Sequence, residues 1–145
     1  MPDVEQQRLS GVAAKVAIRA LREDELDAAD RVMRIAFGTF VGVPDPITVF
    51  GDADLVRSRF RAEPSWAFAA ERDGEVVGSN FATGWGSFGF FGPLTVRVDL
   101  WDRGIASRLM EPIIDLFDQW QLRQAGLFTF AHSPKHIGLY QKFGF

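Results

Sequence analysis

The stretch VDLWDRGIASRLM, residues 98–110, is where one hydrophobic rhythm gives way to another. Before it, GPLTVRV (92–98) is β-branched and alternating, as a strand is. After it, IASRLMEPIIDLF (105–117) brings its large apolar residues round at helical spacing. Arg103-Gly104 stands at the junction. Backbone N–H groups in the first turn of a helix have no internal partners, and the helix dipole adds positive potential there. A strand–loop–helix turn with glycine inside is therefore an anion cradle, and phosphate is its usual occupant. A tight turn that needs glycine for backbone reasons alone would explain an isolated RGIA equally well.

Working outward, Ile105, Leu109, Ile113, Phe117 and Trp120 stay in phase across Pro112, which predicts one kinked helix ended by Gly126. LFTFAHS (127–133) then reads as a strand. SPKHIGLYQKFGF (133–145) reads as a helix with Ser133 as N-cap, Pro134 in the first position and Gly144 as its stop. Upstream, Asp73-Gly74 lies between two strand-like runs and predicts a hairpin. GWGSFGFFGPLTVRV (84–98) predicts a second turn into a strand over 91–98, with Gly92 or Pro93 at a bulge or edge. KVAIRAL (15–21) is a short strand. EDELDAADRVMRIAFGTF (23–40) is a helix burying Leu26, Ala29, Met33 and Phe37, and residues 41–52 are loop. Asp52 is expected to cap a short helix with Leu55, the stem of Arg57 and Phe60 inward, ended by Pro64. Residues 1–14 read as a flexible arm and 15–145 as one α/β domain.

Composition narrows the function. The chain has 145 residues, 47% of them hydrophobic, and a net charge of −3, which argues against general nucleic-acid or membrane binding. The absence of cysteine removes thiolate zinc sites, disulfides and a cysteine-linked acyl-enzyme, and fits a reducing compartment. The N-terminus lacks the apolar core of a signal peptide, and no apolar run approaches the roughly 20 residues of a membrane span, so a cytoplasmic location is expected. A P-loop G-x-x-x-x-G-K-[ST] is missing, and no G-x-G-x-x-G opens a helix after a strand. His132 and His136 have H-x3-H spacing without a third marked ligand, so no metal is expected.

GPLTVRVDLWDRGIASRLM followed by LYQKFGF resembles the GCN5-related N-acetyltransferase (GNAT) family, over about residues 16–145. There a Q/R-x-x-G-x-G/A motif opens the central helix after an L-x-V strand. Here it becomes Trp101-Asp102-Arg103-Gly104-Ile105-Ala106, with Trp in the Gln/Arg position. The resemblance implies a mixed, mostly antiparallel sheet with flanking helices. It implies acetyl-CoA as acyl donor, its pyrophosphate on the amides of Asp102, Arg103, Gly104, Ile105, Ala106 and Ser107. Its pantetheine arm would lie along Leu94, Thr95, Val96 and Val98, as strand addition to an edge. Ser133 stands where many members carry Asn near the cofactor, although helix capping alone would also explain it.

The implied activity is direct acetyl transfer to a primary amine. At neutral pH, deprotonating a lysine costs roughly 4–5 kcal/mol and an α-amine about 1. The oxyanion needs a donor, for which an amide near Val96 is the candidate. The leaving thiolate needs a proton, and Tyr140 stands where the family commonly places that acid. A core role on the Ile137–Tyr140–Phe143 face is the competing account. Gly138 is read as room for the thioester end, against plain helix–sheet packing. The general base is not legible among Glu25, Glu71 and Glu75. The family normally adds two strands after LYxKxGF, so this sequence is expected to lack them. That implies a missing C-terminal segment or a homo-oligomer that covers the LFTFAHS edge. A non-catalytic acyl-CoA-binding module is the alternative function, and a structural domain without a ligand is a third.

Overall fold

The computed structural model describes Val4, Gly11 and residues 15–145, so the N-terminal arm lies largely outside the described residues. The elements are β1 (Ala17–Ala20), α1 (Leu26–Val41), α2 (Leu55–Ala62), β2 (Ala67–Arg72), β3 (Glu75–Trp85), β4 (Phe88–Phe91), β5 (Thr95–Val96), α3 (Ile105–Trp120), β6 (Gln124–Gly126) and α4 (Pro134–Lys142). The sheet order is β1-β2-β3-β4-β6, with β5 also paired to β3. Every pairing is antiparallel except β4 with β6. The expected α/β fold, a mixed, mostly antiparallel sheet with flanking helices, is what the chain adopts.

Local chemistry explains the elements. Asp73 (φ 52°) and Gly74 (φ 81°) both take left-handed conformations, the requirement of a type I′ hairpin turn. α1 buries Leu26, Ala29, Met33 and Ala36, and it stops at left-handed Gly42. α4 starts as its sequence predicts: the Ser133 hydroxyl accepts from the His136 N–H, Pro134 is the first residue, and Gly144 has φ 94°.

β3 organises the sheet. One edge pairs with β2; the other is shared, with Gly78 and Ser79 facing β5 and Ala82–Trp85 facing β4. Gly92-Pro93-Leu94, with a cis Gly92–Pro93 bond, separates the two partners. The strand expected over 91–98 is thus two strands, entered from a turn at Gly86 (φ 61°). α1 and α2 cover one face, where Met33, Val56 and Phe60 meet Phe81. α3 covers the other, with Ile105 and Leu109 against Val96, and Met110 and Ile113 against Ala82 and Phe91.

Four further expectations need correction. α2 is capped by Asp54, whose carboxylate accepts from the Arg57 N–H at 3.2 Å. Asp52 lies in a preceding turn closed by Ala53 N–H on the Phe50 carbonyl. The residues buried from α2 are Val56 and Phe60, while the Arg57 guanidinium pairs with Asp27. α3 runs through Pro112 but ends at Trp120, where Gln121 turns left-handed, so Gly126 is not its stop. Finally, the last strand is 124–126 and not 127–133. The N–H groups of Arg123 and Gln124 both reach the Ser87 carbonyl, at 2.9 and 3.2 Å, and lay the chain on β4 early. Among the described residues no helix is long and apolar enough to cross a membrane.

The 3-10 turn Pro46–Thr48 packs on α1 at Gly38, where an added Cβ would stand 2.2 Å from the Pro46 carbonyl oxygen. Gly38→Ala should therefore destabilise the fold by about 1–3 kcal/mol, despite alanine's better helix propensity. Urea denaturation of the variant beside the parent measures this, and a stabilised variant would refute the close approach.

Candidate functional site

The strand before the junction has its free edge where β4 no longer covers it. Arg97 N–H bonds the Val77 carbonyl at 2.7 Å, so Arg97 and Thr95 spend their backbone groups on β3. Val96, opposite Gly78, turns its N–H and C=O the other way. Its carbonyl accepts from the Trp101 indole Nε1 at 2.7 Å, which leaves the N–H facing out. Of the expected strand residues, Val98 is not on this edge. It begins the 3-10 turn Val98–Leu100, its carbonyl accepting from the Trp101 N–H at 3.3 Å. The chain must curl there to carry Trp101 back over β5, and Arg97 is held in place by Asp99 (2.7 Å) and Glu75 (3.4 Å). Thr95 contributes a side chain only, since its backbone belongs to the ladder with Ser79.

The junction itself takes two left-handed residues, Asp102 (φ 62°) and Gly104 (φ 81°), before α3 begins. Only the Arg108 N–H first closes back, on the Gly104 carbonyl at 3.4 Å. The amides of Ile105, Ala106 and Ser107 are therefore without helical partners. The Ile105 side chain is buried under Leu100, so that residue offers only its amide. Asp102 is ion-paired with Lys135, whose ammonium sits 5.7 Å over the Trp101 ring. This pair ties the start of α4 to the start of α3.

Together these elements enclose a cleft of about 750 Å³. Its lining takes in Leu94, Thr95, Val96, Asp102 to Ser107, Ser133 and Tyr140, hence every expected site residue except Val98. Ser133 is buried, and its Oγ lies 2.7 Å from His136 Nδ1. Burial, and then the Lys135 charge, hold the His136 imidazole below its ordinary pKa. His132 stacks on Phe40 at 5.8 Å and His136 meets the same ring edge-on at 5.0 Å. Tyr140 packs edge-on to Phe91 at 5.5 Å, and burial pushes its phenol up to about 12. Gly138 also lines the cleft, and a Cβ there would meet nothing within 4 Å, so helix–sheet packing does not require it.

None of Glu25, Glu71 and Glu75 lines the cleft; Arg19 holds the first two and Arg97 the third. What sequence reasoning missed is the far wall: Phe37, Phe40 and Phe50, with Leu55 and Arg59 of α2 and Phe90 of β4. Helical phase placed Phe37 and Leu55 inward, but nothing in the sequence brings them to Phe90.

A family model described as the acetyltransferase (GNAT) family matches residues 30–145. No curated protein sequence matches. Among solved structures, the chain is similar to PaiA N-acetyltransferase from Thermoplasma acidophilum in complex with coenzyme A. The identity is 16%, 90% of this chain and 89% of that one are covered, and the TM-score is 0.74. Ard1 from Thermoplasma volcanium is similar at 18% identity, over 90% and 82% of the two chains, with a TM-score of 0.70. A GNAT family acetyltransferase from Brucella melitensis in complex with acetyl-CoA is similar at 19% identity, over 90% and 82%, with a TM-score of 0.65.

Tyr140 is the chain's single tyrosine, so the ultraviolet phenolate band reports this one group. Its pKa is raised on folding from 10.0 to about 12. The linked stability is thus intact below pH 10 and lost as pH rises towards 12. An alkaline titration should place the phenolate midpoint near 12 in the folded chain and near 10 in urea. A folded-state midpoint of 10 would mean the ring is solvated.

Proposed function

The chain belongs to the acetyltransferase (GNAT) family, and we propose that its cleft moves acetyl from acetyl-CoA directly to a primary amine. Family membership makes the chain an N-acetyltransferase. The observation that carries the site assignment is the conjunction of two backbone features in one cleft, an outward Val96 N–H and a first helical turn of unspent amides. Acetyl-CoA would supply the acetyl group as an activated thioester.

The residues present fit that donor. The amides from Asp102 to Ser107, with Arg103 beside them, hold a pyrophosphate through N–H donors and the helix dipole. Left-handed Gly104 lets an anion approach where a Cβ would add strain and bulk. Leu94 and Val96 offer the edge for the pantetheine amides. The edge is shorter than the sequence suggests, because Trp101 already satisfies the Val96 carbonyl and Val98 has curled away. Gly138 leaves space on α4 beside Tyr140.

Tyr140 holds the proton that the departing thiolate requires. A phenol with its pKa raised to about 12 stays protonated at neutral pH and remains a donor in the apolar cleft. The Val96 N–H is the donor for the developing oxyanion. With no acidic side chain free in the cleft among the described residues, the amine enters neutral or loses its proton to solvent, which favours amines of low pKa.

Acetyl-CoA should raise the melting temperature in proportion to its concentration, by about 2.7 kcal/mol of linkage at 100 times Kd. Gly104→Glu should abolish the effect by placing a carboxylate in the cradle, and equal stabilisation by ATP or NAD would refute the donor assignment. Tyr140→Phe should bind acetyl-CoA within a few-fold of the parent while kcat falls roughly 10²–10⁴-fold, as loss of an acid does. Should the variant turn over like the parent, the acid lies elsewhere. An acyl-CoA-binding module without catalysis would show the melting shift and no turnover with any amine.

A further inference from the structure

The half of the cleft away from the phosphate cradle carries its own chemical instruction. Strand register assigns its floor: Thr95 lies opposite Ser79 and Phe90 opposite Thr83. Ser79, Thr83 and Phe81 share the face of β3 that α1 and α2 cover, so Thr95 and Phe90 point the same way. Phe37 and Phe50 meet at 5.5 Å above this floor.

A cation from α2 stands in that half. The Arg59 guanidinium lies 5.9 Å over the Phe90 ring, its Nε is buried, and no protein acceptor bonds it. Thr95, 5% exposed, has a hydroxyl that is likewise buried and unbonded. The other arginine facing α1 from this helix, Arg57, is taken by Asp27 and Asp54. A buried N–H without an acceptor is costly unless a ligand satisfies it, and the half-buried guanidinium leaves its two terminal nitrogens open to the cleft. Among the described residues that line the cleft, the single side-chain carboxylate is Asp102, held by Lys135 at the opposite end. A polyamine or aminoglycoside would meet no counter-charge here, and would meet Arg59 instead.

We infer that the acceptor is an amine bearing a carboxylate on an apolar body, an amino acid with an aromatic or aliphatic side chain, whose carboxylate pairs with Arg59 between the phenylalanine walls. The inference rests on the acetyl-transfer reading and deepens it. The planar fork of Arg59 suits a carboxylate through two parallel N–H bonds. The Thr95 hydroxyl supplies a further donor, and Phe37, Phe50 and Phe90 take the apolar side chain. The reaction balances simply: the amine nitrogen forms a bond to the acetyl carbon, the carbon–sulfur bond breaks, and the nitrogen's proton leaves as the thiolate gains one.

The test compares matched amines on the full chain at saturating acetyl-CoA, following thiol release. Phenylalanine and leucine are set against phenylalaninamide, phenethylamine and spermidine. The parent should prefer phenylalanine to its amide and to phenethylamine by tenfold or more in kcat/KM. Arg59→Gln should erase that preference through KM, leaving the amide's rate within about twofold, and Arg59→Lys should restore part of it. Spermidine as the best acceptor, or an equal loss on acid and amide in Arg59→Gln, overturns the assignment. A second arm measures the melting shift that phenylalanine adds in the presence of CoA, expected in the parent and absent in Arg59→Gln. If acetyl-CoA binds but no amine is acetylated, the transfer reading fails, and this arm decides the Arg59 site alone. No phenylalanine shift in the parent then overturns it.

Discussion

Everything distinctive in this molecule follows from β3 having two partners along one edge. A strand can pair with only one neighbour at each point, so β4 and β5 must succeed each other and not overlap. The Gly92 N–H on the Phe81 carbonyl, at 2.8 Å, is the last bond before the chain lets go, and Thr95 opposite Ser79 marks where it has returned. Between them the path departs from the sheet. β4 then goes on to pair with β6, whereas β5 turns an unpaired side outward. The cleft is the space left by that parting. It is walled by α4 and the segment before it because nothing else closes the gap.

The close packing on the α3 face keeps this geometry in place. A Cβ on Gly78 would stand 2.8 Å from the Thr95 carbonyl oxygen, and one on Gly89 would strike Leu122 and Phe117. Asn80, fully buried among these contacts, bonds the Leu109 carbonyl at 3.1 Å and so locks α3 to the middle of β3. Overpacked positions of this kind transmit displacement and do not absorb it. The registers of β5 and α3 are in effect a single variable.

What the sequence could disclose was what local chemistry decides. Asp73-Gly74 declared a hairpin, Ser133-Pro134 a helix start, and DRGIAS a turn with unspent amides, since each depends on residues a few positions apart. The split of the strand at Gly92-Pro93 was half visible, as a bulge or edge, because its extent depends on which neighbour claims each stretch of β3. The early end of α3 was hidden for a related reason. Gln121 adopts a left-handed conformation that residue type does not favour, because the chain is being drawn onto Ser87. Arg59 was unreadable as anything but a solvated helix residue. Only the tertiary placement of Phe90 beneath it, and the want of a nearby acid, give it meaning.

The two halves of the cleft are made of different material. Around Gly104 and Val96 the polar groups belong to the main chain, which every residue type carries alike. Around Phe37, Phe50, Phe90 and Arg59 they and the apolar walls belong to side chains, most of them only half buried and free of the tight glycine contacts opposite. Substitution therefore acts unequally on the two. Away from left-handed Gly104 one half is little changed by it, while the other rewrites its surface with each change. A change of side chain at the phenylalanine walls thus alters the shape and charge of that surface, while the N–H groups opposite keep their directions for as long as the backbone keeps its path.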